Sequence, residues 1–262
     1  MSDGASATPW LTVVTVVKDA PDDFARTVAS LRDQDLEAVE FLVVDSSSDP
    51  APVRGALANL EHQYFWTPPR GIYPAMNLAL QMATGDYVYF ANAGDLLHDR
   101  FVLGQVWAQL ADRDVVWAFG EVEVVQRDGS RVVTPRWDYA QEKASLFSRG
   151  HFAPHQGTFA RRTALLAQGG FDPSYTIVAD YAAFLKLSQV ADPAYLEPVI
   201  ATFVEGGVST VRWQESLRQF HRARRAILAP TGWDAVRELG GTARQAVAMG
   251  LYRGIWSKVA RR

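Results

Sequence analysis

The stretch GIYPAMNLALQMATGDYVYFANAGD, residues 71–95, is the most informative part of this chain. Apolar residues recur at helical spacing over Ile72–Ala83, a Thr-Gly-Asp turn signal follows, and Tyr87–Ala91 has the aromatic composition of a buried strand. The stretch therefore predicts a loop, an amphipathic helix, a turn and a strand. Asp95 comes just after the strand. Because ligands of open α/β sheets bind beyond the carboxyl ends of the strands, Asp95 is the first candidate for chemistry.

The same alternation of strands and helices continues on both sides of this stretch. Strand patterns occur at Leu11–Val17, Phe41–Val44, Tyr64–Trp66 and Val115–Phe119, and Glu121–Val125 with Arg131–Thr134 predicts a hairpin. Helices are predicted after a cap at Asp22 or Asp23, at Val53–Leu60, Phe101–Leu110, Ala179–Val190 and Trp213–Leu228, and more weakly after Pro230. Strands that alternate with helices predict βαβ units in a mostly parallel, mixed sheet, an α/β fold.

The composition fits one large α/β domain, or one domain with an appendage. The chain has 262 residues, of which 48% are hydrophobic and 21% charged. It has no cysteine, which excludes disulfides and thiolate metal sites and suits a reducing compartment. We see neither a secretory signal pattern nor an apolar run long enough to span a bilayer. The sequence therefore predicts a cytoplasmic protein.

Charge is unevenly distributed along the chain. From Arg212 onward there are 11 Lys/Arg against 3 Asp/Glu, a net charge of +8, while the preceding residues carry 15 against 26, a net charge of −11. Such a basic tail suggests an anionic partner. Val247, Leu251, Ile255 and Val259 recur every four residues in it. This pattern fits a helix lying peripherally on an anionic membrane at its inner face, and equally a helix packed on the catalytic domain or on a second copy in a homo-oligomer.

Seven segments of the chain resemble the family 2 glycosyltransferases, which are inverting enzymes with a GT-A fold and nucleotide-sugar donors. In chain order they are TVVTVVKDAPDDFARTVASLRDQ, EFLVVDSSSD, the block from GIY to NAGD, HQGTFARR, GGFD, TIVADYAAFLKL and FVEGGVST. The similarity is greatest to small bacterial members that modify polysaccharides and lipid-linked glycans. It implies a Rossmann-like GT-A catalytic domain over residues 1–211, with a donor-binding half near 10–120 and an acceptor-side half near 121–211, followed by a basic helical extension over 212–262.

The resemblance assigns the donor nucleotide to the ends of the first two strands. Asp45 would accept a hydrogen bond from the base, since a uracil or thymine ring offers an N–H donor and a carboxylate only accepts. The residues alone favour a turn-initiating Asp before Ser46–Ser48. Thr15, Val17 and Lys18 would line the same pocket, although Lys18 also fits a solvated loop charge.

Four further residues are assigned to donor binding by the same resemblance. Arg70 would lie near the diphosphate or base, where its bidentate fork suits phosphate, or it is a surface arginine after two prolines. Asn77 lies one turn into its helix, where it would reach the ribose or turn outward. Asn92 begins the NAGD segment. His155, followed by Gln156, would hydrogen-bond a phosphate, complete a metal shell, or be an ordinary loop histidine.

The metal and the catalytic base are assigned to two acids. Asp95 matches the last acid of the family's metal motif, but the first acid of the usual pair is absent from Asn92-Ala93-Gly94-Asp95. One carboxylate plus a diphosphate still suffices for Mg²⁺ or Mn²⁺. Asp180 matches the base that takes the proton of the acceptor hydroxyl, or it is a helix N-cap. Pro74 stands where the family commonly has an acid, and Pro is tolerated in a first helical turn.

The sequence thus predicts an inverting, hexosyltransferase-type enzyme of cell-envelope glycan biosynthesis. It would move a sugar from a UDP or dTDP donor to a hydroxyl of a glycan, glycolipid or similar acceptor, with no role for nucleic acid. A catalytically inert nucleotide- or glycan-binding relative is the alternative, because one metal-motif acid is missing and Pro74 replaces another acid. A sugar nucleotidyltransferase should have a Gly-rich basic loop after the first strand, which VKDAPDDF lacks.

Overall fold

The computed structural model describes residues 8–34, 38–111, 113–136, 138–140, 143, 153–206 and 212–259, with the side chains of the last helix as far as Val247. The strands in these residues are β1 (Leu11–Val17), β2 (Val39–Asp45), β3 (Gln63–Trp66), β4 (Tyr87–Phe90), β5 (Leu96–Leu97), β6 (Trp117–Val125), β7 (Arg131–Val133), β8 (Thr158–Arg161) and β9 (Ala194–Val204). The helices are α1 (Pro21–Arg32), α2 (Ala51–Ala56), α3 (Ile72–Met82), α4 (Val102–Leu110), α5 (Arg162–Ala167), α6 (Ala179–Val190), α7 (Trp213–Leu228) and α8 (Gly232–Val259).

The strands form one mixed sheet in the order β3-β2-β1-β4-β8-β6-β9-β5, with β7 beside β6. Strands β3, β2, β1 and β4 run parallel, as do β6 and β9, whereas β8 is antiparallel to both β4 and β6. The carboxyl ends of β1, β2 and β4 therefore share one edge with the beginning of β8. The predicted α/β class, with a mostly parallel mixed sheet flanked by helices, is confirmed.

The sheet is held by apolar packing on both of its faces. Every residue of β1, a β-branched run in the centre of the parallel part, is buried. On one face α3 and α6 bury Met76, Leu80 and Phe184, and on the other face α4 buries Val102 and Leu103. Burying one such side chain stabilises the fold by about 1.5–3 kcal/mol. The predicted helical spacing of α3 is thus explained by its contact with the sheet.

The structure corrects two predicted elements and adds strands that were not predicted, among them β9. Helix α1 begins at Pro21, a residue suited to a first helical turn, so Asp22 and Asp23 lie inside the helix and neither caps it. Strand β6 is continuous where two strands were predicted, and its hairpin to β7 is confirmed. Strand β9 was not predicted because Glu197-Pro198 interrupts its apolar pattern. The proline falls at an irregularity of the β6–β9 register, the kind of position where a strand tolerates it.

The two C-terminal helices form a hairpin against the sheet domain. Helices α7 and α8 confirm the predicted break near Pro230. Helix α7 packs on α6, and the fully buried Arg224 of α7 pairs with Glu238 of α8, with Arg224 Nε 2.9 Å from Glu238 Oε1. Within the described residues no helix is both long and apolar enough to cross a membrane. The predicted stripe beyond Val247 and the segment Gly207–Thr210 lie outside the part described in atomic detail.

Candidate active site

The loop after β4 holds Asp95 in a closed turn at the sheet edge. The Asn92 amide donates to Asp95 Oδ2 at 3.1 Å, and the Asp95 amide donates to the Asn92 carbonyl at 2.8 Å. Thr27 of α1 supports the turn, because its hydroxyl accepts the Gly94 amide at 3.0 Å. Gln156 Nε2 lies 3.4 Å from Asp95 Oδ1. Asp95 is therefore fixed at the sheet edge, with 11% of its side chain exposed.

His155 lies between Asp95 and Asp180, in a short turn at residues 155–157 that leads into β8. Its Nδ1 is 3.0 Å from Asp180 Oδ2, and its Nε2 is 3.6 Å from Asp95 Oδ2. The turn packs against β6 so closely that a Cβ on Gly157 would lie 2.6 Å from the Gly120 carbonyl oxygen. Only glycine fits there, so the backbone of β6 sets the position of the imidazole.

The two carboxylates keep His155 charged. Burial disfavours the imidazolium, but hydrogen bonds to Asp180 and Asp95, together with their negative charges, outweigh it and raise the pKa of His155 to about 10. A protonated imidazole donates from both nitrogens. At neutral pH His155 is therefore a cationic bridge between the loop after β4 and the beginning of α6.

Asp180 lies in the first turn of α6, where its negative charge interacts favourably with the helix dipole. The residue before the helix is Val178 and no side chain caps it, so the alternative interpretation of Asp180 as the N-cap is wrong. Burial acts to raise the pKa of Asp180, but the hydrogen bond and charge of His155 hold that pKa below its ordinary value. Asp180 is therefore ionised at neutral pH, and the 22% exposure of its side chain leaves it reachable from solvent.

Tyr73, which the sequence analysis did not select, is the second partner of Asp180. Its hydroxyl lies 2.9 Å from Asp180 Oδ1 and 2.6 Å from the Ile177 carbonyl oxygen. A phenol has one proton to donate, so the two acceptors share it. Burial and the neighbouring Asp180 raise the pKa of Tyr73 far above its ordinary value, which keeps the phenol neutral. The available signal was that a tyrosine on the buried face of a helix needs a polar partner.

At the carboxyl end of β2, Asp45 is fully buried. Its carboxylate accepts hydrogen bonds from the Ser47 amide and the Tyr64 hydroxyl, both at 2.7 Å. The predicted turn-initiating role of Asp45 is thus confirmed. Trp66 pairs with Asp45 in the β2–β3 register and is 49% exposed, with its indole N–H donating to the Ser47 carbonyl at 3.1 Å. A fixed, exposed aromatic ring therefore lies beside the buried carboxylate.

The remaining predicted donor residues differ in their surroundings. Thr15 and Val17 are buried in β1, whereas Lys18 and Arg70 are exposed in the loops after β1 and before α3. The Asn77 side chain faces the backbone of Phe171. Its Nδ2 donates to the Phe171 carbonyl at 2.7 Å and its Oδ1 accepts the Phe171 amide at 2.8 Å. Both ends of the amide tie α3 to the loop before α6, so the prediction that Asn77 binds the donor is corrected to a structural role.

The groups around Asp95 fit a divalent cation only sparsely. Among the described residues, no set of three His, Asp or Glu side chains is arranged to hold a metal ion. His155 Nε2 lies 3.6 Å from Asp95 Oδ2, and its place in a metal shell stays a prediction. Asn92 Nδ2 lies 3.3 Å from His155 Nε2, and the buried Asn92 Oδ1 lacks a hydrogen-bond partner in the described part of the chain. Because a charged imidazole donates from Nε2, exchanging the two ends of the Asn92 amide would pair Oδ1 with that proton. The Asp95 carboxylate is a ligand that Mg²⁺ and Mn²⁺ accept, with phosphates completing the shell.

Comparison with known proteins identifies the class. The model for glycosyl transferase family 2 matches residues 12–168, more than half of the chain, so the protein belongs to that family and is a glycosyltransferase. An uncharacterized glycosyltransferase of Mycobacterium tuberculosis is 28% identical over 214 residues, which cover 79% of each chain. A PGL/p-HBAD biosynthesis glycosyltransferase of the same species is 26% identical over 209 residues, 77% of each chain.

Solved structures show the same GT-A fold. Staphylococcus aureus TarS, residues 1–349 in complex with UDP, matches with a TM-score of 0.64 and 15% identity over 87% of this chain and 68% of that one. The mannosyltransferase PcManGT from Pyrobaculum calidifontis, in complex with GDP-Man and Mn²⁺, matches with a TM-score of 0.63 and 18% identity over 98% of this chain and 82% of that one. The predicted family and fold are confirmed. Asp180 and α7 lie beyond the segment that the family model matches.

Proposed function

We propose that this glycosyltransferase moves a sugar from a nucleotide-diphosphate donor to a hydroxyl of a glycan, glycolipid or similar acceptor, in one displacement with inversion at the anomeric carbon. The observation that carries the proposal is the bridge from Asp95 through His155 to Asp180. It joins the loop after β4, where a diphosphate would lie, to an ionised carboxylate that is 22% exposed. A general base and a leaving-group site at one edge are the two parts that a single displacement requires.

The donor would span the edge from β3 to β4. Its base would lie against the exposed ring of Trp66, beside Asp45, and Lys18 and Arg70 are exposed cations near that path. TarS in the comparison binds UDP, and we propose a UDP or dTDP sugar for this chain. Because Asp45 is fully buried, a direct hydrogen bond from the base would require Tyr64 or the turn after β2 to move aside.

Asp95 would hold Mg²⁺ or Mn²⁺ together with phosphate oxygens of the donor. The ion, when bound, would stabilise the negative charge of the leaving diphosphate. His155 has a separate task, because its charge offsets the two carboxylates that flank it. Without that cation, two negative side chains would face a polyanionic donor.

Asp180 would take the proton of the acceptor hydroxyl. As the O–H bond breaks, the acceptor oxygen forms a bond to the anomeric carbon, and the bond from that carbon to the diphosphate oxygen breaks with its electron pair leaving on the nucleotide. The proton stays on the Asp180 carboxyl until solvent removes it. The lowered pKa keeps this base ionised, and Tyr73 and His155 hold it in one orientation.

We place donor binding near residues 10–120 and acceptor binding near 121–211, with residues 212–262 as a basic extension. Five of the seven matching relatives are named PGL/p-HBAD biosynthesis glycosyltransferases, which favours a glycan or lipid-linked acceptor in the cell envelope here as well. The described part of α8 exposes Trp233, Val236 and Val247. We propose that this face allows peripheral contact with an anionic membrane at its cytoplasmic side.

The test is a panel of nucleotide sugars assayed with Mn²⁺ and Mg²⁺, with product configuration read by NMR. We expect turnover with one UDP or dTDP sugar, inversion, and a rate for Asp180→Asn lower by about 10²–10⁴ at unchanged donor affinity. Asp86→Asn, an exposed turn acid, is the matched control. Retention of configuration, or full activity of Asp180→Asn, would refute the mechanism. Nucleotide binding without turnover in wild type would instead identify the inert relative that the missing acid allows.

A further inference from the structure

Helix α7 contacts the segment that leads into α6. Gln219 of α7 is 9% exposed and uses both ends of its amide there. Its Oε1 accepts the Ile177 backbone amide at 3.0 Å, and its Nε2 donates to the Thr176 hydroxyl at 2.9 Å. Ile177 lies three residues before Asp180. A buried side chain on a separate helix thus fixes the backbone immediately before the proposed base.

The same residue of that segment also holds the tyrosine that contacts Asp180. The Ile177 carbonyl accepts the Tyr73 hydroxyl, which lies 2.9 Å from Asp180 Oδ1. Movement of Ile177 would therefore displace Tyr73 as well as the first turn of α6. Because the amide of Ile177 is buried, losing Gln219 would leave a donor without a partner, which costs about 1–3 kcal/mol and favours a shift of the segment.

Neighbouring residues of α7 extend the contact on both sides of the base. Arg222 donates to the Ser174 carbonyl at 2.6 Å and lies over the Tyr175 ring, 4.2 Å from its centroid. Phe220 makes an edge-to-face contact with Tyr181, with the ring centroids 4.8 Å apart. Helix α7 therefore contacts the chain before Asp180, at Ser174 and Tyr175, and the residue after Asp180, which is Tyr181.

We propose that α7 sets the position of Asp180, with Gln219 as the positioning residue. The inference rests on the proposed role of Asp180 as the base. Gln219 does not touch substrate; it acts through Ile177 and Tyr73. Proton transfer depends steeply on geometry, and a displacement of about 1 Å can cost about 100-fold in rate. The C-terminal region, beyond the segment that defines the family, is thus part of the catalytic machinery.

The test compares Gln219→Met with Gln214→Met in the full-length chain. Methionine keeps the length of the side chain and removes both hydrogen bonds, and Gln214 is an exposed glutamine of the same helix. We expect Gln219→Met to lower kcat by about 10- to 100-fold at unchanged donor KM and UDP affinity, and Gln214→Met to match wild type. Hydrogen exchange should become faster at Ile177 in Gln219→Met only.

Combining each variant with Asp180→Asn separates positioning from general loosening of the fold. If Gln219 acts through Asp180, Gln219→Met should cause no further loss of the residual rate of Asp180→Asn. An additional loss there, a parallel loss of UDP affinity, or wild-type kcat in Gln219→Met would overturn the positioning role while leaving the proposed function standing. A wild-type enzyme without turnover, or Asp180→Asn with full activity, would overturn both.

Discussion

Replacing Glu238 by Gln should destabilise the protein far more than its place in a basic tail suggests. Glu238 Oε1 accepts from Arg224 Nε at 2.9 Å and from the Thr242 hydroxyl at 3.0 Å, and it lies 3.0 Å from His221 Nδ1. Arg224 is fully buried and Glu238 is 4% exposed. The pair joins α8 to α7, the helix that carries Gln219. Removing the carboxylate charge leaves a guanidinium uncompensated in the interior.

The expected loss follows from this burial. Breaking one partner of a buried ion pair costs about 3–5 kcal/mol, and Gln keeps one acceptor, so we expect about 3 kcal/mol. For a chain of this size that corresponds to a melting temperature lower by about 6–12 °C. Asp234→Asn is the matched control on the same helix, because its ion pair with Arg237 is about three-quarters exposed on both sides. That variant should lose less than about 1 kcal/mol.

The pH dependence of this loss tests its electrostatic origin. Burial acts to raise the pKa of Glu238, but hydrogen bonds from Arg224, His221 and Thr242 outweigh it and hold that pKa below the ordinary 4.5. A depressed pKa means that the stabilisation is fully present above about pH 4.5 and is lost as pH falls through the lower folded-state pKa. Urea unfolding followed by circular dichroism should therefore show a constant difference between wild type and Glu238→Gln near pH 7, and a shrinking one below pH 4.5. Equal midpoints at pH 7, or a difference independent of pH, would refute the reasoning.

Two further predictions concern the donor site. Asp95→Asn should abolish most of the gain in UDP affinity that Mn²⁺ gives the wild type, because a carboxylate binds a hard divalent cation better than an amide does. Calorimetry with and without Mn²⁺ measures this gain. An unchanged gain in Asp95→Asn would place the cation elsewhere. Trp66→Ala should weaken UDP binding by about 1–3 kcal/mol if the base stacks on the exposed indole. Trp233 is an exposed tryptophan of α8, and Trp233→Ala should leave UDP affinity unchanged. Equal UDP affinities of the two variants would exclude the stacking.

The elements around the first half of the sheet could be predicted because their signals are local. The β-branched run of β1 and the apolar spacing of α3 each specify one element within a few consecutive residues. Strand β9 shows the limit of that approach. Its Pro198 is compatible with a strand only because the register with β6 is irregular at that point, and a single sequence does not reveal the register of a distant partner.

In the candidate site, too, positions set by local sequence could be predicted and contacts between distant residues could not. Asp45 and Asp95 follow strands, and parallel strands bring their carboxyl ends to one edge, so their common location was predictable. The partners of these acids were not. Tyr64 on Asp45 is 19 residues away in sequence, and Tyr73 on Asp180 is 107 residues away. Asn77 was wrongly assigned to the donor, because a position one turn into a helix does not reveal which neighbour the side chain faces.

The basic tail is where composition misleads most. Arg224 counts toward the tail's net charge of +8, yet it is buried and neutralised by Glu238, so it is not available to an anionic surface. A variant ending at Ala229 would lack α8 and Glu238. Arg224 would lose its ion-pair partner, which would destabilise α7. The variant's failure to pellet with anionic liposomes would therefore report a damaged fold and would say nothing about lipid contact. Polar substitution of Trp233 and Val236, which are 79% and 56% exposed, tests that contact with the hairpin intact.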